Sequence, residues 1–308
     1  MKVLFVSSGN SKYGISPIIE NQGESLKKEN IELEYFTIKG KGIKGYFNAI
    51  FTLRTHLKSN NYDVVHAHYW LSAIVVSLAG SKPIVTSLMG DELVTKGWYK
   101  WILHIFYYLS WSSIIVKSKE MYQLLGLKGV NIVPNGINMS RFKPIDRMLA
   151  IEKLGWDSKK KHILFTSDPS RVQKNFKLAK DAFDFINDEN LELHYLISLK
   201  IENEKMPYYY NASSVVIISS LWEGSPNAVK EAMACNIPIV ATNVGDIKEL
   251  ISKTQGCYLT DFDYKKFALD MNKALKFKGR TTGREDLYHL KSEIIAKKIV
   301  DIYKSIKE

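Results

Sequence analysis

The sequence predicts an α/β protein made of two parallel-sheet domains. Apolar strand-like segments alternate with helical patterns along the 308 residues, an order typical of parallel sheets covered by helices. The first apolar segment leads through a glycine-containing loop into a helix, as in many nucleotide-binding domains. The length accommodates two domains of ordinary size.

Composition narrows the class of protein further. Apolar residues make up 45% of the chain, enough for two filled cores. Cys235 and Cys257 lack metal-site spacing, so we expect a reducing compartment and no disulfides. The first residues do not form a signal-peptide pattern, so we expect a cytoplasmic protein.

The formal net charge is +11. It fits a solvated surface, or attraction to an anionic substrate or to the inner face of an anionic membrane. The lysines are scattered and no recognition-helix pattern occurs, so no nucleic-acid partner is expected.

The N-terminal half begins with a strand and a loop that contains Gly14. Because the loop is not GxGxxG, an ordinary βα turn remains an alternative to a nucleotide site. Strands are predicted at 2–7, 32–38, 63–66, 83–88, 113–117 and 130–134. Helices are predicted at 16–28, 45–59, 70–80 and 98–108.

Two histidines and an acidic loop mark the strand ends of this half. His66 and His68 are two residues apart, so both face one side of an extended segment. A metal would need a third ligand, which favours a structural or substrate-facing role. Gly90 and Asp91 follow the next strand, at the edge that lines ligand crevices in such sheets.

The aromatic segment WYKWILHIFYY at 98–108 has two interpretations. It is either a buried helix or an amphipathic helix that rests on a membrane. It is too short, and too often interrupted by polar residues, to span one.

The C-terminal half repeats the alternation. The segment VPNGINMSRFKP at 133–144 is interpreted as the end of the first domain and a linker. Strands are predicted at 162–167, 192–197, 214–218, 237–241 and 257–259. Helices are predicted at 147–154, 176–187, 203–212, 226–235, 247–251, 263–276 and 286–305.

Arg171 and Lys174 lie in the loop after the first strand of this half. Two cations at a strand's carboxyl end suit a phosphate group. The alternative is two solvated charges in a lysine-rich protein.

The most specific signal is the stretch SSLWEGSPNAVKEAMACNIPI at 219–239. Ser225 is a candidate helix N-cap and Pro226 a favoured first helical residue. The N–H groups that open this helix would favour an anion. Glu223 precedes the helix and Glu231 lies on it.

Three segments together resemble the family 4 glycosyltransferases, which are retaining enzymes of the GT-B fold. They are DVVHAH at 63–68, the segment at 133–144 and, most specifically, EGSPNAVKEAMACNIPIVATNVGDIKELI at 223–251. The resemblance implies two doubly wound, Rossmann-like domains facing a cleft. It implies an acceptor-side domain at 1–140, a nucleotide-sugar domain at 141–285, and a last helix at 286–308 that packs back on the first domain.

The resemblance also implies roles for individual residues. Glu223 would orient the donor sugar and Glu231 would bind the ribose hydroxyls. Arg171 and Lys174 would neutralise the leaving diphosphate. The backbone of Gly224, Ser225, Pro226, Asn227 and Ala228 would hold the distal phosphate, with Gly14 close to the donor. His68, Gly90 and Asp91 would face the sugar or the acceptor.

The implied reaction moves a sugar from a nucleoside diphosphate sugar to an acceptor hydroxyl of a glycan or lipid-linked molecule, with retention. No cofactor and no metal are expected. Three features depart from the family: Ser167-Asp168 replaces Gly-Arg, Met89 stands where many members carry histidine, and 308 residues is compact, with a short stretch between Leu196 and Met206. The first two favour a non-catalytic role, that of a sugar-nucleotide-binding subunit, as an alternative. A GT-B nucleotide-sugar epimerase is a further alternative.

Overall fold

The computed structural model describes residues 1–10, 14–40, 42–90, 100–196 and 203–307. The chain forms two compact units. The first consists of Met1–Gly136 together with Ser292–Glu308, and the second consists of Ile137–Lys291.

Two parallel sheets form the centres of the units, which confirms the predicted α/β class. The first sheet contains β1 Lys2–Ser8, β2 Glu32–Ile38, β3 Val64–His68, β4 Ile84–Ser87, β5 Ser113–Val116 and β6 Asn131–Ile132. The second contains β7 Lys161–Phe165, β8 Leu191–Tyr195, β9 Val215–Ile218, β10 Ile239–Thr242 and β11 Tyr258–Thr260.

Helices connect these strands. They are α1 Pro17–Lys27, α2 Gly42–Ser59, α3 Trp70–Ala79, α4 Lys100–Leu109, α5 Lys119–Leu125, α6 Arg147–Leu154, α7 Phe176–Ile186, α8 Met206–Ala212, α9 Asn227–Ala234, α10 Ile247–Ile251, α11 Tyr264–Lys276, α12 Gly283–Asp286 and α13 Ser292–Ser305. Within the described residues, none of these helices is long and apolar enough to cross a membrane.

Strand order fixes where each sheet can bind a ligand. The orders are β2-β1-β3-β4-β5-β6 and β11-β10-β9-β7-β8. In both sheets the direction of winding reverses beside the first strand, between β1 and β3 and between β7 and β9. In doubly wound sheets, ligands bind outside the carboxyl ends of the strands at this switch point.

The last helix, α13, belongs to the first unit, where it packs on α1. Tyr303 of α13 is buried, and its hydroxyl lies 2.5 Å from Nδ1 of His66 on β3. Nε2 of His66 lies 2.8 Å from the Ser87 hydroxyl. Both ring nitrogens of this buried histidine are therefore paired, as burial of a polar ring requires.

The predicted helix at 286–305 is wrong in its first part. Its residues form the end of α12, a 3-10 turn at Tyr288–Leu290 and then α13. Leu287 and Leu290 are buried in the second unit, whereas α13 belongs to the first. The apolar period that the sequence shows across 287–302 is thus divided between the two units.

The segment interpreted as a linker is anchored by one side chain of the second unit. The Arg284 guanidinium donates to the backbone oxygens of Phe142 at 2.7 Å and Met139 at 2.8 Å. It also donates to Ala234 O, at the end of α9. Residues 139–142 are therefore held beside the C-terminal end of α9.

Candidate active site

The turn after β7 positions Lys174. Lys174 ends a 3-10 turn, Val172–Lys174, and its backbone oxygen accepts from the Ser219 hydroxyl at 2.9 Å. Gln173 exchanges two further hydrogen bonds with the segment after β9: Leu221 N donates to Gln173 O, and Gln173 Nε2 donates to Trp222 O. Since β7 and β9 are neighbours, their carboxyl-end loops are joined at the switch point of this sheet.

This joint brings Lys174 and Glu223 together. Lys174 Nζ donates to Glu223 Oε1, and the Ser220 hydroxyl donates to the same oxygen at 2.7 Å. The Lys174 side chain is 15% exposed and that of Glu223 is 9% exposed. At this degree of burial the two charges stabilise each other, because an unpaired buried charge is strongly destabilising.

Helix α9 begins three residues after Gly224, at Asn227, with Pro226 as its N-cap. The prediction that Ser225 caps the helix and Pro226 opens it is wrong, because no side-chain hydrogen bond caps α9. Ser225 Oγ instead donates to Asp246 Oδ2 at 2.5 Å. The opening N–H groups of α9 follow the Glu223 loop in the chain, and N–H groups at the start of a helix favour an anion.

Gly245 sets the position of the Glu223 loop. Its φ is +60°, and a Cβ there would lie 2.8 Å from Glu223 O and 2.9 Å from Gly224 O. Only glycine permits both the left-handed conformation and this close approach. Asp246 follows; burial raises its pKa to about 6, and its Oδ1 has no hydrogen-bond partner among the described residues.

Glu231 lies one turn further along α9 and is held by a tyrosine. The Tyr210 hydroxyl on α8 donates to Glu231 Oε2 at 2.6 Å. Burial raises the pKa of Glu231 to about 7, although Tyr210 and the nearby Arg141 act in the opposite direction. The adjacent Lys230 is fully buried, which lowers its pKa to about 8.

Arg171 is placed differently from Lys174. Its side chain is exposed, and its guanidinium donates to Gln173 Oε1 at 3.1 Å. The structure thus joins Lys174 to Glu223 but leaves Arg171 at the solvent side of the same turn.

The first unit holds the other predicted residues. Gly14, after β1, has a φ of +74°, and no atom of the described residues lies within 4 Å of the position that a Cβ would take. His68 ends β3 and is 2% exposed, and its Nε2 has no hydrogen-bond partner among the described residues. Gly90 is buried with a φ of +124°. Asp91 lies outside the described residues.

Sequence reasoning missed three supporting residues: Ser220, Tyr210 and Asp246. Ser220 lies three residues before Glu223 at the end of a strand, so its position could have indicated a partner. Tyr210 and Asp246 reach the site from α8 and from the loop after β10. Their contacts depend on the order of strands in the sheet, and one sequence does not encode that order in any local pattern.

Comparison with known proteins follows the same division of the chain. Residues 20–141 match the family model described as Glycosyltransferase Family 4. Residues 184–276 match the one described as Glycosyl transferases group 1.

Two curated relatives illustrate the similarity. An Escherichia coli UDP-Gal:alpha-D-GlcNAc-diphosphoundecaprenol alpha-1,3-galactosyltransferase is 23% identical over 242 residues, 64% of this chain and 62% of the relative. The putative teichuronic acid biosynthesis glycosyltransferase TuaC of Bacillus subtilis is 25% identical over 222 residues, 63% of this chain and 56% of the relative. The alignments thus span about three fifths of the length of these relatives.

Solved structures match over almost the whole chain. Sucrose-phosphate synthase of Thermosynechococcus elongatus has a TM-score of 0.76 at 15% identity, with 99% of each chain covered. Anabaena HepE in complex with UDP and glucose has a TM-score of 0.74 at 17% identity, covering 99% of this chain and 100% of that one. The GT-B fold implied by the sequence is confirmed by these structures, with sheets of six and five strands.

Proposed function

We propose that this chain, a member of the family 4 and group 1 glycosyltransferases with the GT-B fold, transfers a sugar from a nucleoside diphosphate sugar to an acceptor hydroxyl. One observation carries the proposal. Lys174, in the turn after β7, pairs with Glu223, in the loop after β9, at the switch point between these two strands. The Glu223 loop leads directly into α9. A cation, a sugar-binding carboxylate and the start of a helix therefore occur together where doubly wound sheets bind ligands.

Each group suits one part of such a donor. The N–H groups that open α9 favour the distal phosphate, and Glu231 accepts hydrogen bonds from the vicinal ribose hydroxyls. Glu223 accepts hydrogen bonds from the sugar hydroxyls. Lys174 and Arg171 oppose the negative charge that grows on the diphosphate as its bond to the anomeric carbon breaks.

In the reaction, the acceptor oxygen forms a bond to the anomeric carbon as the bond from that carbon to the diphosphate oxygen breaks, and the proton of the acceptor hydroxyl passes to the departing diphosphate. We infer retention of anomeric configuration, by a front-face displacement without a protein nucleophile. We also infer that no metal takes part, since Lys174 and Arg171 can supply the positive charge.

The relatives suggest the first donors and acceptors to try. One curated relative is named for UDP-Gal and a diphosphoundecaprenol acceptor, and one solved neighbour contains UDP and glucose. We therefore propose a UDP-sugar donor and a glycan or lipid-linked acceptor, in polysaccharide or glycolipid synthesis.

A donor screen tests the function. The full chain is incubated with UDP-, GDP- and ADP-sugars and lipid-linked or glycan acceptors, and nucleoside diphosphate release is measured. Acceptor-dependent release supports a transferase. Donor binding without release from any donor would instead make the chain a non-catalytic subunit, and a changed sugar without release would make it an epimerase. A product with inverted anomeric configuration would refute the inferred retention but not the transferase function.

Contact with an anionic membrane is a second part of the proposal. Only Leu103 of α4 is buried, whereas Trp101, Ile105 and Tyr108 are 59%, 42% and 75% exposed. Their spacing places them on one face of the helix. With the net charge of +11, this face suits an interfacial helix on an acidic bilayer, at the cytoplasmic side of a membrane.

Co-sedimentation with vesicles at low salt tests this contact. We expect binding to phosphatidylglycerol vesicles and loss of binding when Trp101→Ser and Tyr108→Ser are combined. Phe185→Ser is the matched control, because Phe185 is an exposed aromatic residue of the second unit. Equal binding by the double variant and the control would refute a role for α4.

A further inference from the structure

Three side chains with metal-ligating atoms meet on the two strands at one edge of the second sheet. His162 lies on β7, and Glu192 and His194 lie on β8, the edge strand. His162 is in register with Glu192, and Glu192 and His194 are two residues apart. All three side chains therefore project from the same face of the sheet.

The distances between these atoms suit a single small cation. His162 Nδ1 lies 3.0 Å from His194 Nε2 and 3.6 Å from Glu192 Oε2. His194 Nε2 lies 3.9 Å from Glu192 Oε1. Zinc with bonds of ~2.0–2.1 Å in tetrahedral geometry places its ligand atoms ~3.3 Å apart. The three atoms can reach such an ion through small side-chain adjustments.

The ring of His162 is already oriented for binding. Its Nε2 lies 2.8 Å from the backbone oxygen of Asp157, to which it can donate. This bond leaves Nδ1 as the atom with a lone pair, directed at His194. An outer hydrogen bond of this kind, from the second ring nitrogen to a carbonyl, is usual for metal-bound histidines.

The ring of His194 is fixed by Trp156. The two rings are stacked, with centroids 3.6 Å apart and an interplanar angle of 8°. His162 is fully buried and His194 is 17% exposed, whereas Glu192 is 41% exposed. The cluster is therefore closed on the protein side and open to solvent beside the carboxylate.

The charges around the cluster partly oppose one another. Arg147 is close enough to lower the pKa of His162 and would weaken cation binding, but the Glu192 carboxylate acts in the opposite direction.

We propose that His162, Glu192 and His194 form a binding site for one Zn²⁺ or a similar late transition metal, with solvent as the fourth ligand. Two histidines and one glutamate are an established zinc ligand set. The ion would link the edge strand β8 to β7 and to the backbone at Asp157. This site does not rest on the proposed transferase function.

The alternative is a hydrogen bond between the two rings. In that arrangement Nε2–H of His194 donates to Nδ1 of His162, and Glu192 is solvated. Metal binding requires His194 to carry its proton on Nδ1 instead, so that both facing nitrogens offer lone pairs. Zinc stoichiometry distinguishes the two arrangements.

The experiment uses the full chain after treatment with a chelator. Zinc uptake is measured by equilibrium dialysis with elemental analysis, and Co²⁺ uptake by its visible absorption. We expect one equivalent of zinc and intense bands typical of tetrahedral Co²⁺. We expect His194→Ala and Glu192→Gln each to weaken zinc binding at least as much as the ~10–100-fold loss that follows removal of an outer-shell partner.

Two controls keep the test specific. His289→Ala removes an exposed histidine elsewhere in the same unit and should leave zinc binding unchanged. Zinc should also raise the melting temperature of the wild type but not that of Glu192→Gln, whose partly exposed side chain makes misfolding a poor explanation. The proposal would be overturned if Glu192→Gln and His194→Ala bound zinc as tightly as the wild type. It would also be overturned if the wild type bound no zinc.

Discussion

The Lys174–Glu223 ion pair couples two residues whose functions the sequence predicts separately. Each side chain is at least 85% shielded from solvent. Glu223 Oε1 accepts hydrogen bonds from both Lys174 Nζ and the Ser220 hydroxyl. A donor that binds here would meet a pair that is already charged, hydrogen-bonded and oriented. Such preorganisation lowers the cost of arranging groups around the reacting atoms.

This coupling predicts non-additive mutations. Lys174→Met and Glu223→Gln should each lower turnover strongly. The loss of transition-state stabilisation in the double variant should be smaller than the sum of the two single losses, with a coupling energy of about 0.5–3 kcal/mol. Arg171→Ala is the matched control: it should also lower turnover but combine additively with Glu223→Gln, because Arg171 contacts Gln173 instead. The measurement is kcat/KM with the best donor of the screen. An additive Lys174/Glu223 cycle would contradict the shared role.

Glu231 predicts a pH dependence of donor binding. Its pKa is raised to about 7, chiefly by burial, so the carboxylate that we propose to bind the ribose hydroxyls becomes protonated as the pH falls through 7. If only the ionised form binds, the donor dissociation constant should rise about tenfold from pH 8 to pH 6. Calorimetric titration measures it.

The matched variant is Glu231→Gln, which keeps the shape and the Tyr210 partner but cannot ionise. It should bind the donor weakly at both pH values, with little of the tenfold change. A wild-type affinity that stays constant from pH 6 to pH 8 would exclude this role for the Glu231 carboxylate. Glu231→Ala should likewise weaken binding, whereas Lys174→Ala should mainly lower turnover.

At the scale of elements, the close contact at Gly245 predicts a positional defect. A methyl group there would press on the backbone oxygens of Glu223 and Gly224 at 2.8 and 2.9 Å. The loop would have to move, and a misplacement of catalytic groups by about 1 Å lowers the rate roughly 100-fold. Gly245→Ala should therefore lose activity while the rest of the unit stays folded. Activity and circular dichroism measure the two effects.

Gly155 provides the control, since it has a similar φ of +67° but nothing within 4 Å of an added Cβ. Gly155→Ala should cost about 1–2 kcal/mol of stability, the penalty of a left-handed residue, with turnover unchanged. If both variants lost the same activity, strain in the backbone would explain the defect, and the contact with Glu223 would not.

The elements show what a single sequence can predict. Alternation of apolar segments and helices was sufficient for two parallel sheets, because the period of each segment is local. The start of α9 and the break before α13 were not predicted correctly. Ser225 is a favourable N-cap by residue type, yet its hydroxyl donates to Asp246, which lies in a loop distant in sequence. Leu287 and Leu290 continue a helical period but are buried in the other unit.

At the scale of the whole molecule, buried histidines predict sensitivity to acid. The pKa values of His66, His68, His162 and His194 are all lowered by burial, that of His68 to about 3. At these histidines the unfolded chain takes up protons below about pH 6.5, whereas the folded chain does so only at a lower pH. The contribution of these histidines to stability is therefore fully present above about pH 6.5 and is lost as the pH falls below it, by at most about 1.4 kcal/mol per pH unit and histidine. The raised pKa values of Glu231 and Asp246 act in the opposite direction over this range.

Thermal unfolding from pH 7.5 to pH 4.5 measures this loss. His68→Leu should reduce the slope, because Leu fills similar space, does not titrate, and replaces a ring whose Nε2 has no partner among the described residues. His289→Ala, at an exposed position, should leave the slope unchanged. A His68→Leu slope equal to that of the wild type would show that His68 does not contribute.

The membership of α13 in the first unit has a consequence for synthesis on the ribosome. Residues 1–136 emerge first, but Tyr303, which pairs with the buried His66, is translated only after the entire second unit. Until then His66 and the surface of α1 lack their final partners. The second unit, continuous in sequence, can fold while the first is still incomplete. We therefore expect the N-terminal half to reach its final packing only after α13 has been translated.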